Sequence, residues 1–302
     1  MIQDAPVPGT IAVVGGALVD VRATTSLPWI PGRSLPGKIR LAAGGAARNV
    51  AVNLANLGHR VALLTAVGDD PLATWLLEAT AAAGVDVSHA VRLRCSTGMY
   101  VTAGPQGEAR WCMADAGPME ALGPHNLDAW TPLLATSSLV VSDANLLPRT
   151  QQALAARSGG QPRVLLATSP DKAPRLKDVL DGAAVLVCNR DEAAALAAGN
   201  PAGPWEPLAS SLLGLGARCV VVTCGRDGIG VMMGGDAAWS PAGAGPVVDT
   251  TGAGDAVSAV AVHACLTGMS AHDTAVLASR AAAVAVGSIE NTPVALAEVV
   301  RP

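Results

Sequence analysis

Short, continuous runs of apolar residues recur along the chain, with longer segments of helical spacing between them. The runs lie at residues 10–14, 61–67, 138–142, 164–167, 185–188 and 219–223. Such runs are typical of strands that are buried on both faces of a parallel sheet. Because helical segments alternate with them, the order predicts right-handed crossovers and an α/β protein, a three-layer α/β/α fold with a mainly parallel central sheet.

Two segments break this pattern. Residues 91–113 alternate polar and apolar positions, which predicts antiparallel strands with one solvated face. Residues 22–40 are rich in Pro, Gly, Ser and Thr and leave the main layer. We therefore expect one domain, residues 1–302, with a small β-sheet lid formed from about 17–41 and 91–113 over the carboxyl edge of the main sheet.

A glycine pair, Gly44 and Gly45, precedes a predicted helix that ends at Gly58. Glycines let the backbone approach a ligand closely, and Asn49 in the first turn offers both a donor and an acceptor. An ordinary glycine loop followed by a surface asparagine explains the spacing equally well.

Near the end of the chain, Asp249-Thr250-Thr251-Gly252-Ala253-Gly254-Asp255 joins a predicted strand end at 246–248 to an apolar predicted helix. The uncovered first amides of that helix and the positive end of its dipole form an anion site. Asp255 is either a helix cap or a base that takes a proton from an alcohol while the amides hold a transferring phosphoryl group.

Polar residues also follow the other predicted strands, at the edge where α/β sheets bind ligands. Asp20 comes after the first strand, and Asp143 and Asn145 follow the run at 138–142. Asn189 either caps the next helix or lies with Glu192 near the water shell of a phosphate-bound Mg²⁺.

After the strand at 219–223 the chain turns and returns at 230–233. The turn between them is either a plain hairpin or a backbone cradle for a nucleotide phosphate.

Composition excludes several classes of function. The net charge is −4, aromatic residues make up 2% of the chain and Phe is absent, so a nucleic-acid surface is not indicated. The sequence shows no bilayer-spanning apolar run and no secretory signal. Its six cysteines form no CxxC pair, and its five histidines lack metal-ligand spacing. We expect a cytoplasmic protein with a small-molecule substrate and no membrane partner.

The residues from Gly44 to Asn49 and from Asp249 to Asp255, with Asn189–Glu192 and 223–228 between them, resemble the ribokinase-like (PfkB) carbohydrate kinase family. The resemblance covers roughly residues 11–292 and implies a phosphotransferase that uses ATP and Mg²⁺. It implies that Asp255 is the general base and that Gly252, Ala253 and Gly254 form the anion hole.

The resemblance also implies the remaining ligand contacts. The substrate-binding residues would be Asp20, Gly44, Gly45, Arg48, Asn49, Asp143 and Asn145. The ATP-binding residues would be Asn189, Thr223, Gly225 and Gly228. Glu192 would reach Mg²⁺ through water, and Asp249 and Thr251 would hold K⁺.

Within the family, residues 36–49, 141–146 and 291–293 are similar to the pseudouridine kinase subgroup, although Leu18 stands where that subgroup carries Asn. This similarity implies transfer of the γ-phosphate to a 5′-type hydroxyl, giving pseudouridine 5′-phosphate. A kinase of another sugar or nucleoside and a non-catalytic ligand-binding regulator stay open as alternatives. A nicotinamide dehydrogenase is disfavoured because the first strand lacks GxGxxG. An exposed lid edge could pair with a second copy of the chain.

Overall fold

The computed structural model describes residues 9–28, 30, 32–105 and 111–300. The strands of this part of the chain are β1 (Thr10–Val14), β2 (Leu18–Thr25), β3 (Lys38–Gly44), β4 (Arg60–Leu64), β5 (Ala66–Gly68), β6 (Val91–Leu93), β7 (Met99–Pro105), β8 (Trp111–Asp115), β9 (Leu139–Asp143), β10 (Arg163–Leu166), β11 (Val185–Asn189), β12 (Cys219–Thr223), β13 (Gly228–Met233) and β14 (Asp236–Pro241). Its α-helices are α1 (Ala46–Asn56), α2 (Pro71–Ala82), α3 (Gly117–Ala121), α4 (Thr131–Thr136), α5 (Pro148–Arg157), α6 (Arg190–Ala197), α7 (Trp205–Gly214), α8 (Ala253–Thr267) and α9 (Ala271–Val286).

The central sheet has the order β14-β13-β12-β11-β10-β9-β1-β4. From β12 to β4 every neighbouring pair is parallel, whereas β12, β13 and β14 are joined by antiparallel hairpins. The predicted α/β class and mainly parallel sheet are therefore confirmed.

Helical layers cover both faces of this sheet. Along β1, Ile11 and Val13 belong to the core that includes residues of α1, α8 and α9. The alternate residues Ala12 and Val14 pack on the opposite face in a core that includes Trp130. Since successive strand residues point to opposite faces and both faces are dry, every position of β1 after the first is apolar.

A second, four-stranded sheet has the order β3-β2-β7-β8, and we call it the lid sheet. β2 pairs antiparallel with β3 and parallel with β7, and β7 pairs antiparallel with β8. One part of the predicted lid lies elsewhere, because Val91–Leu93 forms β6 and pairs with β5 in a separate two-stranded sheet.

Two other local predictions were wrong. The run at 61–67 divides at Thr65, whose hydroxyl donates to the carbonyl oxygen of Gly15 at 2.7 Å, and the chain then leaves the main sheet as β5. Residues 246–248 are not a strand, and Val247 is 70% exposed. The amides of Val248 and Asp249 both donate to the carbonyl oxygen of Val286, at the end of α9, so this segment has no strand partner.

Across the described residues, the helices are all too short or too polar to cross a bilayer.

Candidate active site

A cleft of about 1040 Å³ opens between the lid sheet and two segments of the main domain. The lid side is lined by residues of β2 and β3, and the opposite side by residues 248–249 and 289–292. The second segment lies against the start of α8, because a Cβ on Gly252 would collide with the carbonyl oxygen of Asn291. The cleft therefore lies beside the predicted anion site.

Helix α8 begins inside the glycine-rich stretch rather than after it. Gly252 is its N-cap, with φ of 84°. A Cβ on Gly252 would lie 2.4 Å from the carbonyl oxygen of Asn291, so only glycine fits here, whereas a Cβ on Gly254 would meet no atom within 4 Å. The first-turn amides of an α-helix have no partner within the helix. Ala253 and Gly254 contribute such amides, and the Ala253 amide donates a long hydrogen bond of 3.4 Å to the carbonyl oxygen of Thr250. We call residues 249–254 the anion loop.

Asp255 follows this loop in the first turn of α8. Its Oδ2 accepts a hydrogen bond from Nδ2 of Asn49 at 2.9 Å, and the side chain keeps part of its surface open. Burial of the carboxyl among protein atoms raises its pKa to about 7, and the charges of Asp20, Asp143 and Glu192 add to this effect against the Asn49 bond. Since Gly252 is the cap, Asp255 is free of that role, and a carboxylate that titrates near neutral pH is suited to general-base chemistry.

Asn49 is oriented by its neighbour in the first turn of α1. Nη1 of Arg48 donates to Oδ1 of Asn49 at 3.2 Å, which leaves the Asn49 amide nitrogen to face Asp255. Nε of Arg48 donates to the hydroxyl of Thr80 at 3.1 Å. Arg48 is 6% exposed, and burial lowers its pKa to about 10, against the charges of Asp20 and Asp255. Arg48 therefore positions Asn49, and because it also lines the cleft, its contact with substrate stays a prediction.

The glycine pair before α1 is required by close packing. Gly45 has φ of 101°, and a Cβ on it would lie 2.3 Å from the carbonyl oxygen of Gly16. A Cβ on Gly44 would lie 2.5 Å from the Asp20 carboxyl. Asp20 is buried and accepts a hydrogen bond from Nδ2 of Asn291 at 2.7 Å; burial raises its pKa, and this bond opposes the shift. Gly44, Gly45 and Asp20 thus lie together on the side of the site where α1 begins.

Asp143 and Asn145 do not present free polar atoms as expected. Asp143 is fully buried and accepts backbone hydrogen bonds from Gly16 at 2.9 Å, Ala47 at 3.2 Å and Asn145 at 3.0 Å. The Asn145 amide donates to Asp143, and its Oδ1 accepts from Nζ of Lys172 at 2.6 Å. Because these groups already bond to protein, the expectation that both read a substrate edge is not supported. They hold the turns at Gly16 and Ala47 in place.

Asn189 and Glu192 form a reciprocal cap at the start of α6. Oδ1 of Asn189 accepts from the amide of Glu192 at 2.9 Å, and Oε2 of Glu192 accepts from the amide of Asn189 at 2.8 Å. Burial raises the pKa of Glu192, in spite of the Asn189 bond. The described residues include no group of three or more His, Cys, Asp or Glu side chains that could hold a metal ion. The structure therefore shows the capping interaction, and the water-mediated contact of Glu192 with Mg²⁺ stays a prediction.

The predicted nucleotide loop contains glycines of two kinds. Gly225 is exposed with φ of 58°, and no atom lies within 4 Å of where its Cβ would be. Gly228 is buried, and a Cβ on it would lie 2.2 Å from the carbonyl oxygen of Ser240 in β14. Packing between β13 and β14 therefore accounts for Gly228, while Thr223 and Gly225 stay accessible beside the carboxyl end of β12.

Arg22 escaped the sequence reasoning, and Asn291 entered it only through the subgroup similarity at 291–293. Nη1 of Arg22 forms an ion pair with Oδ2 of Asp249, and its Nη2 donates to Oδ1 of Asn291. Oδ1 of Asp249 accepts from the amide of Thr251 at 2.9 Å. Arg22 and Asn291 are 269 positions apart, so no local pattern joins them. For Arg22, the available signal was the alternation of polar residues along β2, since Asp20 and Arg22 lie on the same face of this strand.

The family model described as pfkB family carbohydrate kinase matches residues 9–295. The chain belongs to this family of phosphotransferases, which act on alcohol groups. It is 39% identical over 136 residues to an uncharacterised sugar kinase, YeiI, of Escherichia coli strain K12, a match that covers 44% of this chain and 38% of that protein. It is 27% identical over 264 residues to a pseudouridine kinase of the same strain, covering 86% of this chain and 84% of the relative.

The structure is also similar to that of an Arabidopsis thaliana ribokinase complexed with ribose and ATP. The TM-score is 0.86 at 21% identity, and the match covers 97% of this chain and 99% of that chain. The ribokinase-like fold predicted from the sequence is therefore confirmed.

Proposed function

We propose that this carbohydrate kinase transfers the γ-phosphate of ATP to a 5′-type hydroxyl of a ribosyl substrate, with pseudouridine as the first candidate. The observation that carries the proposal is the position of Asp255, a partly open carboxylate with a raised pKa directly after the anion loop. A base beside the first amides of a helix fits an alcohol that attacks a phosphoryl group.

Each of these residues would have a separate role in the reaction. Asp255 orients the acceptor hydroxyl and takes its proton, while Asn49 holds the Asp255 carboxylate in place. The amides of Gly252, Ala253 and Gly254 face the charge that develops on the transferring group. Closure of the lid sheet over the cleft would exclude water, which could otherwise accept the phosphoryl group.

ATP and Mg²⁺ would lie on the other side of the anion loop. Thr223 and Gly225 are accessible at the carboxyl end of β12, and the Arabidopsis ribokinase of the same fold holds ATP. Glu192 is close enough for its charge to raise the pKa of Asp255. Since Mg²⁺ keeps most of its waters and binds substrate phosphates, Asn189 and Glu192 would hold its water shell. The ion would supply positive charge at the phosphates.

Pseudouridine is preferred among the acceptors because of the 27% identical relative and the sequence similarity to that subgroup. A sugar without a base is the second candidate, and a specific observation favours it. Asp143 and Asn145 are bonded to protein groups, and Leu18 offers no hydrogen bond, so fewer polar atoms are left to read a uracil ring.

An ADP-release assay with pseudouridine, uridine, ribose and fructose as acceptors tests the proposal. We expect pseudouridine to give the highest kcat/KM, and Asp255→Asn serves as the control for contaminating kinases. A higher kcat/KM with ribose or fructose would show that a sugar, and not pseudouridine, is the preferred acceptor. No acceptor-dependent ADP release, with ATP still bound, would favour the non-catalytic regulator.

A dimer through the lid is a further part of the proposal. Ile39, Leu41 and Met113 lie on the face of the lid sheet that points away from Asp20, and they are 72%, 51% and 75% exposed. Exposed apolar patches of this kind mark interaction surfaces. We expect light scattering to give the mass of a dimer for the wild type and that of a monomer for Ile39→Glu/Met113→Glu. A monomeric wild type would refute it.

We also propose a reducing compartment such as the cytoplasm. All six cysteines are free, and Cys95 and Cys112 are exposed thiols.

A further inference from the structure

Arg22 links the lid sheet to both segments that border the anion loop. One side of its guanidinium forms the ion pair with Asp249, the first residue of the loop. The other side donates to Oδ1 of Asn291, whose backbone carbonyl packs on Gly252. The Asn291 amide in turn donates to Asp20, which lies on the same strand as Arg22.

These contacts use both carboxyl oxygens of Asp249 and the side-chain oxygen of Asn291. Oδ2 of Asp249 is bonded to Arg22, and Oδ1 accepts the amide of Thr251. Oδ1 of Asn291 is also taken by Arg22. A second positive charge at the same carboxylate would be repelled by the guanidinium. The site that the family resemblance assigns to K⁺ at Asp249 and Thr251 therefore does not fit K⁺ in this chain.

The electrostatics of Asp249 agree with a fixed internal partner. Although partial burial opposes ionisation, the hydrogen bonds from Thr251 and the charge of Arg22 hold the pKa of Asp249 below its ordinary value. The two side chains are 24% and 27% exposed, so the pair is largely shielded from solvent. Its charge is thus balanced within the chain.

We propose that Arg22 takes the place of a monovalent cation and that its guanidinium orders the anion loop from the lid. Arg22 is a positioning residue, since it acts through Asp249 and Asn291. Because it is carried by β2, the charge that supports the loop comes from the lid sheet and not from solution. The proposal rests on phosphoryl transfer at the anion loop, as inferred above, and not on the identity of the acceptor.

The test compares K⁺, Na⁺ and choline chlorides at equal ionic strength. Two readouts are measured: the initial rate with the best acceptor of the panel, and the midpoint of thermal unfolding without substrate. For the wild type we expect rates that agree within about twofold, a factor smaller than one hydrogen bond would give, and equal midpoints. Stimulation of the wild type by K⁺ beyond this range, or a midpoint raised by K⁺, overturns the proposal.

Arg22→Met removes the charge and keeps most of the side-chain length. Loss of one charged hydrogen-bonding group predicts a rate in choline chloride about 10- to 100-fold below wild type. K⁺, or guanidinium ion at a concentration that does not denature, should restore part of this rate and raise the unfolding midpoint. A variant whose rate and midpoint equal those of the wild type in choline chloride overturns the proposal.

Arg40→Met is the matched control. Arg40 lies directly opposite Arg22 on β3 and lines the same cleft, and among the described residues it has no acidic partner. We expect this variant to keep the cation independence of the wild type. If Arg22→Met fails to fold, the comparison of K⁺, Na⁺ and choline on the wild type still tests whether the protein is independent of monovalent cations. The unfolding midpoints need no acceptor, so this test remains valid even if the proposed kinase activity is not found.

Discussion

The raised pKa of Asp255 predicts an unusual dependence of activity on pH. With a pKa of about 7, the base is about half ionised at pH 7 and about one-tenth ionised at pH 6. Because only the carboxylate accepts a proton, kcat/KM should fall about fivefold from pH 7 to pH 6 and about tenfold for each further pH unit. An Asp with an ordinary pKa would give a rate that is flat from about pH 5 to pH 8.

The hydrogen bond from Asn49 provides a way to shift this profile. Donation to Oδ2 of Asp255 favours the charged form, so its loss in Asn49→Leu should raise the pKa. A hydrogen bond to a charged group contributes about 1.5–3 kcal/mol, which corresponds to an upward shift of about one to two pH units. Asp255→Asn should lower kcat by ~10²–10⁴-fold at every pH while ATP still binds.

The assay is the initial rate of ADP release from pH 5 to pH 9 in a buffer series of constant ionic strength. Asn53→Leu is the control, because Asn53 lies one turn further along α1, is equally buried and has no hydrogen-bond partner for its side-chain amide. Asn53→Leu should show the same dependence of kcat/KM on pH as the wild type. A profile that is flat below pH 7, or one that does not move in Asn49→Leu, would refute the assignment of Asp255 as the base.

Other changes test the loop, the cap and the helix packing. Gly252→Ala should lower the free energy of unfolding by about 1–2 kcal/mol in urea titrations because its φ is 84°, whereas Gly254→Ala, with open space around it, should not destabilise the fold. Asn189→Ala should cost about 1 kcal/mol of stability through the lost cap. If Asn189 also binds ATP, the KM for ATP should rise in this variant. An unchanged KM would mean that Asn189 caps α6 and does not bind ATP. Burial, and to a smaller degree His263, lower the pKa of His59 to about 4, so the unfolded chain binds more protons and stability should decrease from pH 6.5 towards pH 4. His59→Asn should weaken this dependence, and an unchanged slope would contradict it.

Much of the fold could be predicted because its determinants are local. The apolar runs at β1, β9 and β12 are buried on both faces, so each is continuous in the sequence. Gly45 and Gly252 have positive φ and no room for a Cβ, and they mark where α1 and α8 begin. Asp255 could be predicted as a candidate base because it closely follows the turn at Gly252.

The errors arose where partners are distant in sequence. The run at 61–67 has one continuous pattern, yet only the contact of Thr65 with Gly15 divides it into β4 and β5. Asp143 follows a strand as a ligand-binding residue would, but its burial under the turns at Gly16 and Ala47 depends on three separate segments. Local pattern cannot distinguish a carboxylate that faces a cleft from one that bonds to loops.

The sequence by itself determined the alternation of strands and helices in the main sheet, the positions of the two glycine turns and the family to which they belong. Tertiary structure decided which polar side chains are accessible and which are bonded to one another. Asn49 meets Asp255 across 206 positions, and Arg22 meets Asp249 across 227. The physical reason is that backbone conformation follows from neighbouring residues, whereas burial and charge pairing depend on groups that folding brings together.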